Sequence, residues 1–167
     1  MLNKELSHHL TNRHFHARIT TFRPFLQAIV LCDAVRSDSP SYATVLDGAL
    51  ECVIACIEFL EAQSSPQRHF GSWRCGRGIW AAGLSVLAAV SIPALRSAIK
   101  GMPPTPGVTY AIEDEGATGQ LLDRAKTALG VAAGWLSEWE EESSSLRLGA
   151  STLWTGLKEA GGKGLFT

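Results

Sequence analysis

Four histidines, His8, His9, His14 and His16, crowd into the first sixteen residues, with Lys4, Arg13, Arg18 and Arg23 close by. Imidazoles bind metals and carry protons near neutral pH, so metal binding is the first chemistry to test. His14 and His16 stand two apart, which on a helix puts them on different faces. His9 with His16, or His8 with Glu5, would each need further ligands from elsewhere in the chain. The imidazoles therefore read as surface or core-satisfied groups. The four cysteines, Cys32, Cys52, Cys56 and Cys75, offer no close Cys-x-x-Cys pair on a turn, the usual mark of structural zinc. They read as small buried hydrophobes. Catalytic signatures are missing too. Arg74-Cys75-Gly76-Arg77-Gly78 has two glycines, but no strand precedes it and no Lys-Ser or Lys-Thr follows to hold a phosphate. No cofactor, metal or enzymatic activity is expected of this chain.

Five tryptophans, Trp73, Trp80, Trp135, Trp139 and Trp154, suit either a packed core or the wall of an apolar cavity. The second reading places a small apolar ligand between the first and third helices, with His16, Arg23, Trp73 and Trp80 around it.

The elements that must position these residues are helical. Phe15, Ile19, Phe22 and Leu26 recur at four- and three-residue steps and predict one buried face. Pro24 cannot donate to the carbonyl of Thr20, so the helix is expected to kink or restart there. Arg23, at that bend, is expected to be partly buried and paired with Glu51 or Glu58. A second helix runs from Pro40 to about Gln63 along Tyr42, Leu46, Ala49, Val53, Cys56 and Leu60, opened by Ser39-Pro40. A third segment, about Trp73 to Lys100, carries no charge between Arg77 and Arg96 and reads as a central buried helix, restarted by Pro93. Residues 101–116, with three prolines and Glu113-Asp114-Glu115, read as a surface linker. Leu121 to about Glu142 forms a fourth helix, and Leu146 to Leu157 a shorter fifth that Gly161-Gly162 ends. The fold class is all-α: an antiparallel domain of five or six helices, kinked at Pro24 and Pro93, spanning residues 1–167.

Composition fits one domain. At 167 residues a chain buries roughly 70% of its unfolded surface. Hydrophobic residues make up 46% and charged residues 19%, which excludes a disordered chain. A formal net charge of -1 gives no bulk attraction to nucleic acid. No membrane span is expected, since Ser85, Ser91 and Pro93 interrupt the apolar segment. Lys4, Glu5, His8 and His9 stand where a signal peptide needs an apolar core, so a reducing, intracellular setting is expected.

Two runs of the first helix, Asn12-Arg13-His14-Phe15-His16-Ala17-Arg18-Ile19 and Phe22-Arg23-Pro24-Phe25-Leu26, together resemble the middle regulatory region of fungal binuclear zinc-cluster transcription factors. The resemblance implies an all-helical regulatory domain of a nuclear protein engaged in transcription regulation. It also implies that zinc and DNA are bound by a separate amino-terminal six-cysteine cluster, which this chain lacks. Helix and chain begin almost together at Met1. That abrupt start leads us to expect the carboxy-terminal portion of a larger regulatory region, with Leu2, Leu6 and Leu10 of the first helix and Ile54 and Ile57 of the second left open for self-association or a protein partner. The other class of reading is a free-standing helical binding protein for a small apolar ligand or a partner helix.

Overall fold

A computed structural model describes residues 2–31, 41–63, 72–101 and 120–166, and these form six helices with no strand among them. They are α1 (Leu2–Leu31), α2 (Tyr42–Ala62), α3 (Ser72–Ser91), α4 (Pro93–Gly101), α5 (Gln120–Glu138) and α6 (Ser144–Gly162). The fold is all-α. Residues 37–40, 64–68 and 102–116, where a helix start, a loop and a linker are expected, lie outside the described residues, as does Cys32.

Pro24 and Pro93 act differently. Pro24 lies inside the continuous helix α1, which does not restart there. Pro24 and Thr20 are both exposed, so the turn that loses a hydrogen bond lies on the solvent side of the helix, while Phe22 and Leu26 pack into the core on either side. At Pro93 the chain breaks. The Ala89 carbonyl, which residue 93 would serve in a continuous helix, takes the Ile92 amide at 3.1 Å instead. Helix α4 then leaves α3 at 95°. No single helix among the described residues is long and apolar enough to cross a membrane.

Helices α1 and α2 run antiparallel, because partners fall along α2 as they rise along α1. Asn12 bonds Gln63 at 2.8 Å, Phe15 meets Phe59 edge-on at 6.4 Å, Cys52 lies 3.9 Å from the Ile19 carbonyl, and Phe25 fills the hollow at Gly48. A methyl at Gly48 would lie 2.5 Å from the Phe25 ring, so only glycine admits that ring so close to the α2 backbone. Helix α2 is buried from Cys52 through Ile57, since α1, α3, α4 and α5 all pack on it. Ile54 and Ile57, expected on a spare face, are 7% and 0% exposed, and that expectation is corrected: four neighbours leave α2 no apolar flank to spare.

Helix α3 touches all five other helices. Its packing on α6 departs from the antiparallel expectation. Gly76 faces Leu146, Trp80 faces Gly149, Gly83 faces Leu153 and Leu87 faces Gly156, so the numbers rise together and the pair runs parallel. Each glycine sits seven residues from the next on its own helix and opposes a large side chain on the other. That is knobs-into-holes packing of a heptad seam with small and large residues alternating. The end of α6 also differs from expectation. Gly161 and Gly162 remain helical, and the stop is Gly164, at φ 63°, where the Leu165 amide reaches back to Ala160 O at 2.9 Å. This is the left-handed glycine cap of a Schellman motif.

Candidate functional site

The register of α1 against α2 starts at Asn12, because its partner Gln63 is the C-cap residue of α2. Residues 2–11 of α1 therefore project past the last described residue of α2, by about 15 Å at the helical rise. Leu6 and Leu10, one turn apart on this projecting tip, are each 58% exposed.

The base of the tip is anchored by polar ties. Gln63 is 3% exposed, donates to Asn12 Oδ1 at 2.8 Å and accepts from the Cys75 thiol at 3.3 Å, joining α1, α2 and α3. A buried amide with both ends satisfied fixes register, because breaking either bond strands a polar group. One and a half turns on, Arg18 bonds Glu58 at 2.5 Å and Glu51 at 3.2 Å. Burial works against the guanidinium charge, but the hydrogen bond and attraction of Glu58, then those of Glu51, outweigh it and raise the Arg18 pKa. Arg124 of α5 grips Glu61 of α2 with two bonds, of 2.9 and 2.8 Å.

The acids expected to hold Arg23 thus hold Arg18. The reason is geometric. Arg18 and Arg23 flank the buried stripe of α1 on opposite sides, and in an antiparallel pair the like-handed flanks meet, which brings Glu51 and Glu58 against Arg18. Arg23 is exposed.

The remaining residues of the first-helix motif scatter. Arg13, His14 and Pro24 are exposed, while Phe22 and Phe25 are half-buried and Leu26 is buried at 4%. His14 meets only its neighbour Phe15 edge-on, among the ring contacts. The His16 ring lies 5.1 Å from the Phe59 ring, and its edge faces Gly78 of α3. Trp80, two residues further along α3, points instead to Gly149 of α6. His16 and Trp80 are therefore held on different sides of α3. The side chain of Trp73 lies outside what the structure describes. Trp80 Nε1 is buried with no hydrogen-bond partner among the described residues. Cys52 and Cys56 are fully buried free thiols, and no group of three metal-ligating side chains forms among the described residues.

No family model matches this chain. No curated protein and no solved structure matches it either.

Sequence reasoning missed the Asn12–Gln63–Cys75 tie, the Glu61–Arg124 pair and the glycine seam. The first two involve residues with no local pattern. The third had a signal: the seven-residue spacing of Gly76 to Gly83 and of Gly149 to Gly156.

Proposed function

We propose that this chain is a helical protein-interaction module without catalytic chemistry, whose projecting first helix is the element that meets a partner. The observation that carries the reading is the tip of α1, which leaves Leu6 and Leu10 exposed on one stripe while the base of the same helix is locked by buried polar ties. Apolar side chains held out on a rigid support suit a partner helix of amphipathic character, whose apolar face takes anchors one turn apart. The setting, transcription regulation in the nucleus, rests on the resemblance of residues 12–26 to zinc-cluster regulatory regions. In that setting the tip would contact another protein of the regulatory machinery, and a separate module would read DNA.

The test tethers the chain to an unrelated DNA-binding domain upstream of a reporter. Output above or below that of the domain alone supports the reading, and the paired change Leu6→Glu with Leu10→Glu should abolish the difference. Output equal to that of the domain alone refutes it.

A further inference from the structure

We propose that the partner helix taken up by the tip of α1 is acidic, with a carboxylate one turn beyond its two apolar anchors that meets Arg13. The inference rests on the reading of α1 as the element that meets a partner, and it names the chemistry of that partner.

It starts from the charge of one helix. The whole chain has a formal net charge of -1, but α1 carries Lys4, Arg13, Arg18 and Arg23 against Glu5 alone. Positive charge is thus gathered in the helix that projects from the fold. Helical spacing gives its outward stripe: Leu6, Leu10, Arg13 and Ala17 recur at four, three and four residues and are all exposed. The core stripe of Phe15, Ile19, Phe22 and Leu26 falls on the opposite side, so this face is turned away from α2. His9 and His14 flank the outward stripe on its two sides and are exposed as well. Glu5, one residue before Leu6, falls off the stripe.

The acids close at hand are already engaged. Helices α2 and α3 are the ones that pack on α1. On α2, Glu51 and Glu58 are held by Arg18, and Glu61, nearest the tip, by Arg124 of α5. Helix α3 contains no acid. Arg13 makes no ion pair among the described residues. The tip therefore offers two leucines one turn apart and, three residues on, an exposed guanidinium that nothing within the described fold answers. A basic helix laid there would set like charges across the contact, while an acidic one complements them. Arginine takes a carboxylate through two parallel hydrogen bonds, so a single acid in register suffices. A membrane surface also attracts basic helices, but it needs a broad apolar face, and the described tip shows two exposed leucines.

Fluorescence anisotropy with two labelled peptides reads the preference. Both peptides form helices with leucines one turn apart on one face, and they differ only in carrying glutamates or lysines beside those leucines. The glutamate peptide should bind the full chain about tenfold more tightly than the lysine peptide, and its binding should weaken as salt rises above about 0.1 M. Arg13→Glu should weaken the glutamate peptide several-fold and shift the preference towards the lysine peptide, while Arg13→Lys should keep most of the binding. Arg23→Glu, about 15 Å further along the helix, should leave binding unchanged. Four results would overturn the proposal: no binding of either peptide up to about 500 µM, equal binding of the two, Arg13→Glu without effect, or binding to vesicles with about 30% phosphatidylserine in preference to the glutamate peptide. Any of these beside a tethered reporter that still depends on Leu6 and Leu10 refutes the acidic partner alone. A reporter that never departs from the DNA-binding domain alone removes the underlying reading as well.

Discussion

Placing a methyl on Gly83 tests the parallel α3/α6 seam where both methyls of a buried leucine close over the glycine. A Cβ there would lie 2.8 and 2.9 Å from the two methyls of Leu153 and 3.5 Å from its Cγ, and Leu153 is fully buried. The whole branched end of the leucine must move in a filled core. Overpacking of this kind costs about 1–3 kcal/mol. The same substitution gains about 0.8–1.0 kcal/mol of helix propensity, so Gly83→Ala should range from neutral to about 2 kcal/mol destabilising. Gly134→Ala carries the propensity gain alone, since nothing stands within 4 Å, and should stabilise the fold by about 1 kcal/mol. The two alanine variants should therefore differ by about 1–3 kcal/mol in urea unfolding at low micromolar concentration, with unchanged m-values. A compensating change sharpens the test. Leu153→Ala alone should cost about 2–5 kcal/mol, and less in the Gly83→Ala background, where the new methyl occupies part of the vacated space. The coupling should reach at least about 0.5 kcal/mol. Equal stabilisation by Gly83→Ala and Gly134→Ala, or additive behaviour of Gly83→Ala with Leu153→Ala, would refute the seam.

Two further expectations concern the charged and thiol groups. Arg18→Ala should destabilise by about 1–3 kcal/mol, between the values for surface and buried pairs, because it leaves the half-buried Glu58 without its partner. Arg23→Ala should stay within about 0.5 kcal/mol, and thermal melts that rank the two arginines the other way contradict the pairing. Burial raises the Cys75 thiol pKa above its ordinary 9.0, and the Cys52 hydrogen bond together with burial raises that of Cys56 further. Both raised groups keep their protons in the fold after the unfolded chain has lost them. Their stability contribution is thus complete below pH 9 and lost as pH rises through the folded values. Urea melts between pH 7 and pH ~10 should show a decline beginning near pH 9, shallower in Cys75→Ala, and a decline of equal slope in that variant contradicts the assignment.

The helices themselves were legible because each buries a stripe of period 3.6, and Ile19, Leu26, Val53, Leu60, Leu121, Ala125 and Leu153 all lie inward where the period puts them. The fate of a proline was not legible from its own residue. Pro24 and Pro93 each remove one donor, but Pro24 sits on the solvent side of a continuous helix, and Pro93 opens a new one. The arginine that ties α1 to α2 was half legible: the acids Glu51 and Glu58 could be named, but choosing between Arg18 and Arg23 needed the direction of pairing. Parallel packing of α3 on α6 is a matter of connection through α4 and α5, which no local pattern encodes. Of the residues expected around a ligand, His16 and Trp80 both border α3, but Gly78 and Trp80, two residues apart, face different neighbours.

If the projecting tip of α1 meets a partner, sites of equal exposure on and off the tip should differ in the tethered reporter. Leu6, Leu10 and Leu148 are each 58% exposed, the first two on the tip and the third on α6. Glutamate at Leu148 should leave reporter output at the parent level, while glutamate at Leu6 and Leu10 together should return it to that of the DNA-binding domain alone. Equal loss from both changes, or no loss from the α1 pair, would contradict the account.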